Sequence, residues 1–87
     1  MPPITLAEAK AFLRVTDAAE EALIQLLIAA ATERVELAVG MVLTDPAPSP
    51  LRLAILMLVA HGFEHREGEA PAALVEPWLA PYRSTRL

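Results

Sequence analysis

Residues 53–60 (Leu-Ala-Ile-Leu-Met-Leu-Val-Ala) contain no polar side chain, and this segment constrains the fold of the chain more than any other. A helix that is hydrophobic on every side belongs in a core or at an interface, because any exposed side would place apolar surface in water. The segment 21–39 is almost as apolar, since only one narrow stripe of its helical wheel is polar. Both helices therefore need cover on at least two sides.

The amount of apolar surface is large for the length of the chain. The chain has 87 residues, 55% of them hydrophobic, and its mean hydropathy is +0.43. A domain of this size buries only a limited share of its surface. Because two short helices cannot wrap two apolar ones completely, we expect another subunit to cover the surplus, as large exposed apolar patches mark interaction sites. The alternative is a well-packed monomer with a leucine-rich core.

Helix start and stop signals predict an all-α fold, a small bundle of four helices without strands. Gly40 suits the C-cap of the second helix, and Ser49 suits the N-cap of the third. Two pairs have the spacing of capping boxes, Thr5 with Glu8 and Asp17 with Glu20. We expect a single domain over residues 1–80 and a flexible C-terminal tail over residues 81–87. The predicted helices cover about residues 5–13, 17–39, 50–66 and 71–80.

The helical wheel of the second segment separates candidate surfaces, at about 100° per residue. The apolar flanks of the second and third helices are the predicted subunit interface. Arg34 lies opposite the polar stripe, where it either extends its stem over apolar surface or pairs with an acid of a neighbouring subunit. The polar stripe comprises Glu21, Gln25, Thr32 and Glu36. The candidate interface residues are Leu23, Leu26, Ala30, Arg34, Leu37, Leu53 and Met57.

Charge and cysteine content argue against several function classes. The formal net charge is −4, and an acidic domain without a basic stripe is a poor candidate for direct DNA binding. The absence of cysteine excludes disulfides and thiolate zinc sites. No signal peptide is recognisable, and the longest apolar run falls short of the ~20 residues of a membrane helix. We therefore expect a soluble, intracellular chain without membrane contact and without a cofactor.

Residues 61–65 (His-Gly-Phe-Glu-His) match the H-x-x-E-H signature of inverted zinc proteases. In that interpretation His61 and His65 hold zinc from one helical face, and Glu64 is the general base. Glu76 is the candidate third ligand, but 87 residues barely build a substrate cleft, and the motif lies where an apolar helix re-enters solvent. We therefore expect no enzymatic activity, with a zinc-dependent hydrolase as the less favoured alternative.

Two aromatic residues lie near the C-terminal end of the sequence, around Ala80 and Pro81. Trp78 either caps the core or anchors a partner, since aromatic residues dominate interface hot spots. Tyr82 is assigned to a partner, because the residues after it include Arg83 and Arg86 and no acid.

Four segments, in order and with matching spacing, together resemble the head-to-tail connector (adaptor) proteins of long-tailed phages. The resemblance covers nearly the whole chain. It implies a helical protomer that assembles into a ring, expected to be dodecameric, between the capsid portal and the tail and around the DNA channel. It also makes His61 and His65 part of a structural helix end. The segments are Ile-Thr-Leu-Ala-Glu-Ala-Lys at 4–10 with Phe-Leu-Arg-Val at 12–15, then residues 21–33, 58–67 and 79–83.

The resemblance leads to a mechanical hypothesis. Apolar helix flanks close the ring, the polar stripe faces solvent or the channel, and an acidic lumen lets DNA pass without specific binding. The expected partners are further copies of the chain, the portal protein and tail-side connector proteins; whether the isolated chain is monomeric stays open. The expected location is the host cytoplasm during assembly and then the head–tail junction of a virion, prophage particle or gene transfer agent. The residues expected to dock the portal are Tyr82, Arg83, Arg86 and Leu87.

A further alternative to the connector is a small helical homo-oligomeric interaction module. The chain also departs from the connector pattern at Gly62-Phe63, where the family usually has a bulky aromatic pair. We expect this difference to loosen the local packing.

Overall fold

The structure is a computed structural model that describes residues 3–65 and 71–82. Within these residues the chain forms α-helices and short 3-10 turns without any strand, which confirms the all-α prediction. The two long helices pack along each other, the first helix packs against both, and the fourth packs chiefly against the third. The α-helices are α1 (Leu6–Leu13), α2 (Glu21–Val39), α3 (Ser49–Glu64) and α4 (Glu76–Leu79).

Helix α1 begins with the predicted capping box. The Thr5 hydroxyl accepts a hydrogen bond from the Glu8 backbone N–H at 3.1 Å, and the Glu8 carboxylate accepts one from the Thr5 N–H at 2.9 Å. The helix ends at Arg14, which has a left-handed backbone (φ 60°) and donates its N–H to Ala11. The box therefore satisfies two backbone groups that a helix start otherwise leaves unpaired.

Helix α2 begins later than residue 17, so the prediction was wrong at this end. The Asp17 carboxylate accepts from the Ala19 N–H at 2.8 Å and forms a 3-10 turn, Ala18–Glu20, before the helix. A short acidic side chain that bonds two residues ahead stabilises a tight turn in place of a capping box. The other end is as predicted: Gly40 has φ 73° and donates to the Glu36 carbonyl at 2.8 Å.

Helix α3 begins one residue before the predicted start, and Ser49 is not its N-cap. Pro48 occupies that position, and its carbonyl accepts from the N–H groups of Leu51 and Arg52, both at 3.0 Å. Pro50 falls in the first turn, where its missing N–H leaves no gap in the helix. The helix ends at Glu64; the predicted end near residue 66 lies outside the described residues.

The predicted fourth helix, 71–80, is divided into three pieces. A 3-10 turn at Ala72–Leu74 precedes α4, and a second at Ala80–Tyr82 follows it. Pro77 and Pro81 have no backbone N–H, so an uninterrupted helical hydrogen-bond ladder cannot form across this stretch. The first two residues of the expected tail, Pro81 and Tyr82, are thus part of the packed structure.

The core lies between α2 and α3 and is closed by α1, α4 and the residues before α1. Residues 53–60 of α3 are all buried or half-buried. Helix α3 is therefore enclosed more fully than its sequence predicted, and the exposed aliphatic surplus lies mainly on α2. The largest fully buried side chains are Ile4, Ile24, Val35, Leu51, Ile55 and Val59.

Candidate interaction surfaces

Three predicted interface residues on one face of α2 are exposed to solvent. Leu26 is 65% exposed and Leu37 is 80% exposed, and Ala30 lies exposed between them. At about 100° per residue these positions fall within about 40° of one another. We call Leu26, Ala30 and Leu37 the α2 ridge. Leucines this exposed leave apolar surface in water, and an exposed apolar patch is a common feature of interaction sites.

The other four candidate interface residues are half-buried: Leu23, Arg34, Leu53 and Met57. Met57 packs against the core, so part of its apolar surface is already covered within the chain. Leu23 and Arg34 flank the ridge on α2. The structure thus separates the seven candidates into an exposed ridge and a half-buried margin.

The predicted polar stripe of α2 has partners within the chain that the sequence did not reveal. Glu21 forms an ion pair with Lys10 of α1, with 2.6 Å between the Lys10 Nζ and a carboxylate oxygen. The Glu36 carboxylate accepts from the backbone N–H of Leu43 at 2.8 Å and so ties the segment after α2 to the helix. Gln25 is exposed. Thr32 has a buried Oγ1 without a hydrogen-bond partner among the described residues.

A groove of about 790 Å³ runs beside the α2 ridge. We call it the α2 groove. Its apolar lining comes from the residues before α1, the start of α1 and one side of α2, and includes Ile4, Leu6, Ile28 and Ala29. Gln25, Thr32, Glu33 and Glu36 also line it, and no lining residue in the described part of the chain is basic. The stripe therefore belongs largely to the wall of a groove, and Glu33 gives that wall an exposed negative charge.

Arg52 of α3 joins the start of the chain to the bundle. Its guanidinium pairs with the Glu8 carboxylate, and its Nε donates to the Pro3 carbonyl at 3.3 Å. The pKa of Glu8 is lowered, first by the hydrogen bond from the Thr5 N–H and further by Arg52. Partial burial opposes this shift. Glu8 therefore favours its charged form, and the cluster fixes the wall of the α2 groove at its N-terminal edge.

The two histidines of the H-x-x-E-H motif stack on each other. Their ring centroids are 4.5 Å apart, and the Nδ1 of His65 lies 3.2 Å from the His61 carbonyl oxygen. The Nδ1 of His61 is buried without a partner among the described residues. Within residues 3–65 and 71–82, no three His, Asp or Glu side chains come together as a metal-binding group, so the motif gains no third ligand there.

The C-terminal candidates occupy different environments. Trp78 is 38% exposed. Tyr82 is half-buried and packs against the core, so at least part of its ring has a structural role. Arg83, Arg86 and Leu87 lie outside the described residues.

The comparisons with known proteins identify a family. No helix in the described part of the chain has both the length and the apolar character needed to cross a bilayer. Neither a curated protein nor a solved structure matches the chain. The family model described as "Phage gp6-like head-tail connector protein" matches residues 3–76, which include α1, α2 and α3 and end at the first residue of α4. The chain therefore belongs to the phage gp6-like head-tail connector family, a family of structural proteins.

Proposed function

We propose that copies of this chain form a closed ring, expected to be a dodecamer, between the portal and the tail of a phage-like particle. The ring surrounds the DNA channel and carries out no reaction of its own. The observation that carries the proposal is the α2 ridge, with Leu26 and Leu37 exposed in a member of a connector family. A contact between two different surfaces of a protomer generates a ring when its rotation closes.

A charged side chain introduced into the α2 ridge tests whether the ridge is a subunit interface. Leu37→Glu should leave folding unchanged, because the side chain is 80% exposed, and should abolish assembly, because it places a charge in an apolar contact. The matched control is Val42→Glu, a residue equally exposed at 80% but outside α2. Native mass spectrometry and electron microscopy, with portal protein present, report the assembly. Rings formed by the Leu37 variant would exclude the ridge from the interface.

DNA passes the ring without specific binding in this proposal. The support is the formal net charge of −4. Like charge repels the phosphate backbone and lets it slide. Assembled rings should not retain duplex DNA at low ionic strength, as measured by fluorescence anisotropy. Tight, salt-sensitive retention would contradict an acidic lumen.

The portal link is assigned to the end of the sequence, with Tyr82, Arg83, Arg86 and Leu87 as docking residues. Because Tyr82 packs against the core, the informative truncation ends the chain after Tyr82 and keeps every residue that the structure describes. This variant should keep its far-UV circular dichroism spectrum and its unfolding midpoint but lose portal binding in a pull-down assay. Undiminished portal binding would refute the docking assignment.

A homo-oligomeric interaction module remains the second candidate, because the α2 ridge suits a symmetric helix pair equally well. A pair uses the same patch on both copies and stops at two. Native mass spectrometry separates the candidates: a dimer that persists when portal protein is added supports the module, and a larger closed assembly supports the ring.

A further inference from the structure

We propose that the α2 groove receives the end of α1 from a second copy of the chain, with Phe12 inserting into the groove and Arg14 pairing with Glu33. This inference rests on the proposed ring and names one of its contacts.

The groove has the chemistry of a receiving site. Its lining is aliphatic at Ile4, Leu6 and Ile28, and the exposed carboxylate of Glu33 stands at its edge. None of its described lining residues is basic, so they provide no cation to pair with this charge within the groove. A volume of about 790 Å³ leaves ample room for an aromatic ring. The site therefore fits an apolar group that is accompanied by a cation.

The end of α1 presents that combination. Phe12 is 43% exposed although it is a large aromatic residue, and Arg14 is exposed two positions later. The other large exposed apolar residues of the described chain have no exposed Arg or Lys within two positions; they are Leu26, Leu37, Met41, Val42 and Trp78. Aromatic and arginine side chains are also the residue types enriched at interface hot spots.

The two surfaces lie on different sides of a protomer. Leu6 lines the groove, and Phe12 follows it by six residues, which places the two side chains about 120° apart around α1. A protomer can then give its α1 end to one neighbour and receive the α1 end of another. Such a contact between unlike patches propagates from copy to copy, as a ring requires, and does not stop at a pair.

Cysteine cross-linking tests the contact directly, since the chain contains no cysteine of its own. Ala11→Cys and Ala29→Cys are exposed positions beside Phe12 and in the groove. In assemblies formed with portal protein, the doubly substituted chain should oxidise to a ladder longer than a dimer. A mixture of the two single variants should give only dimers. The control pairs Ala11→Cys with Ala73→Cys, an exposed site outside both surfaces.

Charge reversal gives a second readout. Arg14→Glu and Glu33→Arg should each reduce cross-linking at least about twofold, the usual scale for a rim ion pair. The two reversals combined should restore it. Glu64→Arg makes the same charge change at an exposed site on α3 and should have no effect. Arg14→Gly removes the cation at a left-handed position that suits glycine, so this variant should keep its far-UV circular dichroism spectrum while its cross-linking falls.

Each contrary outcome has a distinct meaning. Rings that cross-link through Leu26→Cys and Leu37→Cys but not through the Ala11 and Ala29 positions would overturn this inference and leave the ring intact. Cross-linking of Ala29→Cys to Ala73→Cys of another copy, without cross-linking to Ala11→Cys, would show that the groove faces a different surface of the neighbour, and would also overturn this inference. If native mass spectrometry shows no closed assembly in the presence of portal protein, the ring itself is refuted, and this inference fails with it.

Discussion

Replacing Glu36 by alanine separates a structural role of this residue from a role in the channel. The Glu36 carboxylate accepts a hydrogen bond of 2.8 Å from the N–H of Leu43, a residue that is only 5% exposed. Without the carboxylate, this N–H loses its partner beside the core. If Glu36 served only the channel, its removal would leave the free energy of unfolding unchanged.

The size of the effect follows from this one bond. A hydrogen bond to a charged group contributes about 1.5–3 kcal/mol. Glu36 is half-buried, so water replaces part of the loss, and alanine regains a few tenths of a kcal/mol as a better helix former. We expect Glu36→Ala to lower the free energy of unfolding by about 1–2 kcal/mol. For a domain of this size this corresponds to a fall in Tm of about 5–15 °C.

Urea unfolding followed by far-UV circular dichroism measures the difference. Glu36→Gln keeps a hydrogen-bond acceptor without the charge, so its free energy of unfolding should lie between those of wild type and Glu36→Ala. The matched control is Gln25→Ala, an exposed residue of the same stripe, which should change stability by less than about 0.5 kcal/mol. A Glu36→Ala variant as stable as this control would refute the structural role.

Two further predictions concern stability alone. The lowered pKa of Glu8 means that its carboxylate stabilises the fold only while it is charged. Wild type should therefore be more stable than Glu8→Gln, with the full difference above about pH 4.5. This difference should vanish as the pH falls through the lowered pKa. Urea titrations at several pH values measure this advantage, and a constant difference at all pH values would contradict it. A Cβ at position 62 would lie 2.8 Å from the Cδ2 of Leu27. In Gly62→Ala the end of the Leu27 side chain can rotate away, and alanine gains helix propensity. The free energy of unfolding should therefore stay within about 1 kcal/mol of wild type. Gly62→Leu forces α2 and α3 apart and should cost about 1–3 kcal/mol in the same assay; equal stability of the two variants would refute the close approach.

Local signals predicted the helices well where one residue type decides the geometry. The Thr5–Glu8 capping box and the glycine end of α2 depend on neighbours three or four positions apart, and both formed as expected. The start of α2 was wrong because two turn geometries compete at Asp17, and the sequence does not say which prevails. The sequence also identified the family correctly.

The candidate surfaces were harder to predict because they depend on distant parts of the chain. The helical wheel of the second helix was enough to predict a common face for the α2 ridge. The groove beside the ridge exists only because residues 3–6 lie against α2. The partner of Glu36 is a backbone N–H, for which no sequence pattern exists. At Gly62 the expected loosening did not occur, since the side chain of Leu27 approaches the space that a larger residue would need.

The contacts of Arg52 have a consequence for how the molecule opens. Arg52 binds Pro3 and Glu8, which are 49 and 44 positions away in sequence, and Ile4 between them is 1% exposed. The first residues of a domain ordinarily fray, and their amides exchange with solvent through small local fluctuations. Here a side chain of α3 holds residues 3–8 in place, so an opening that separates α3 from α1 should also release the start of the chain and raise hydrogen–deuterium exchange there.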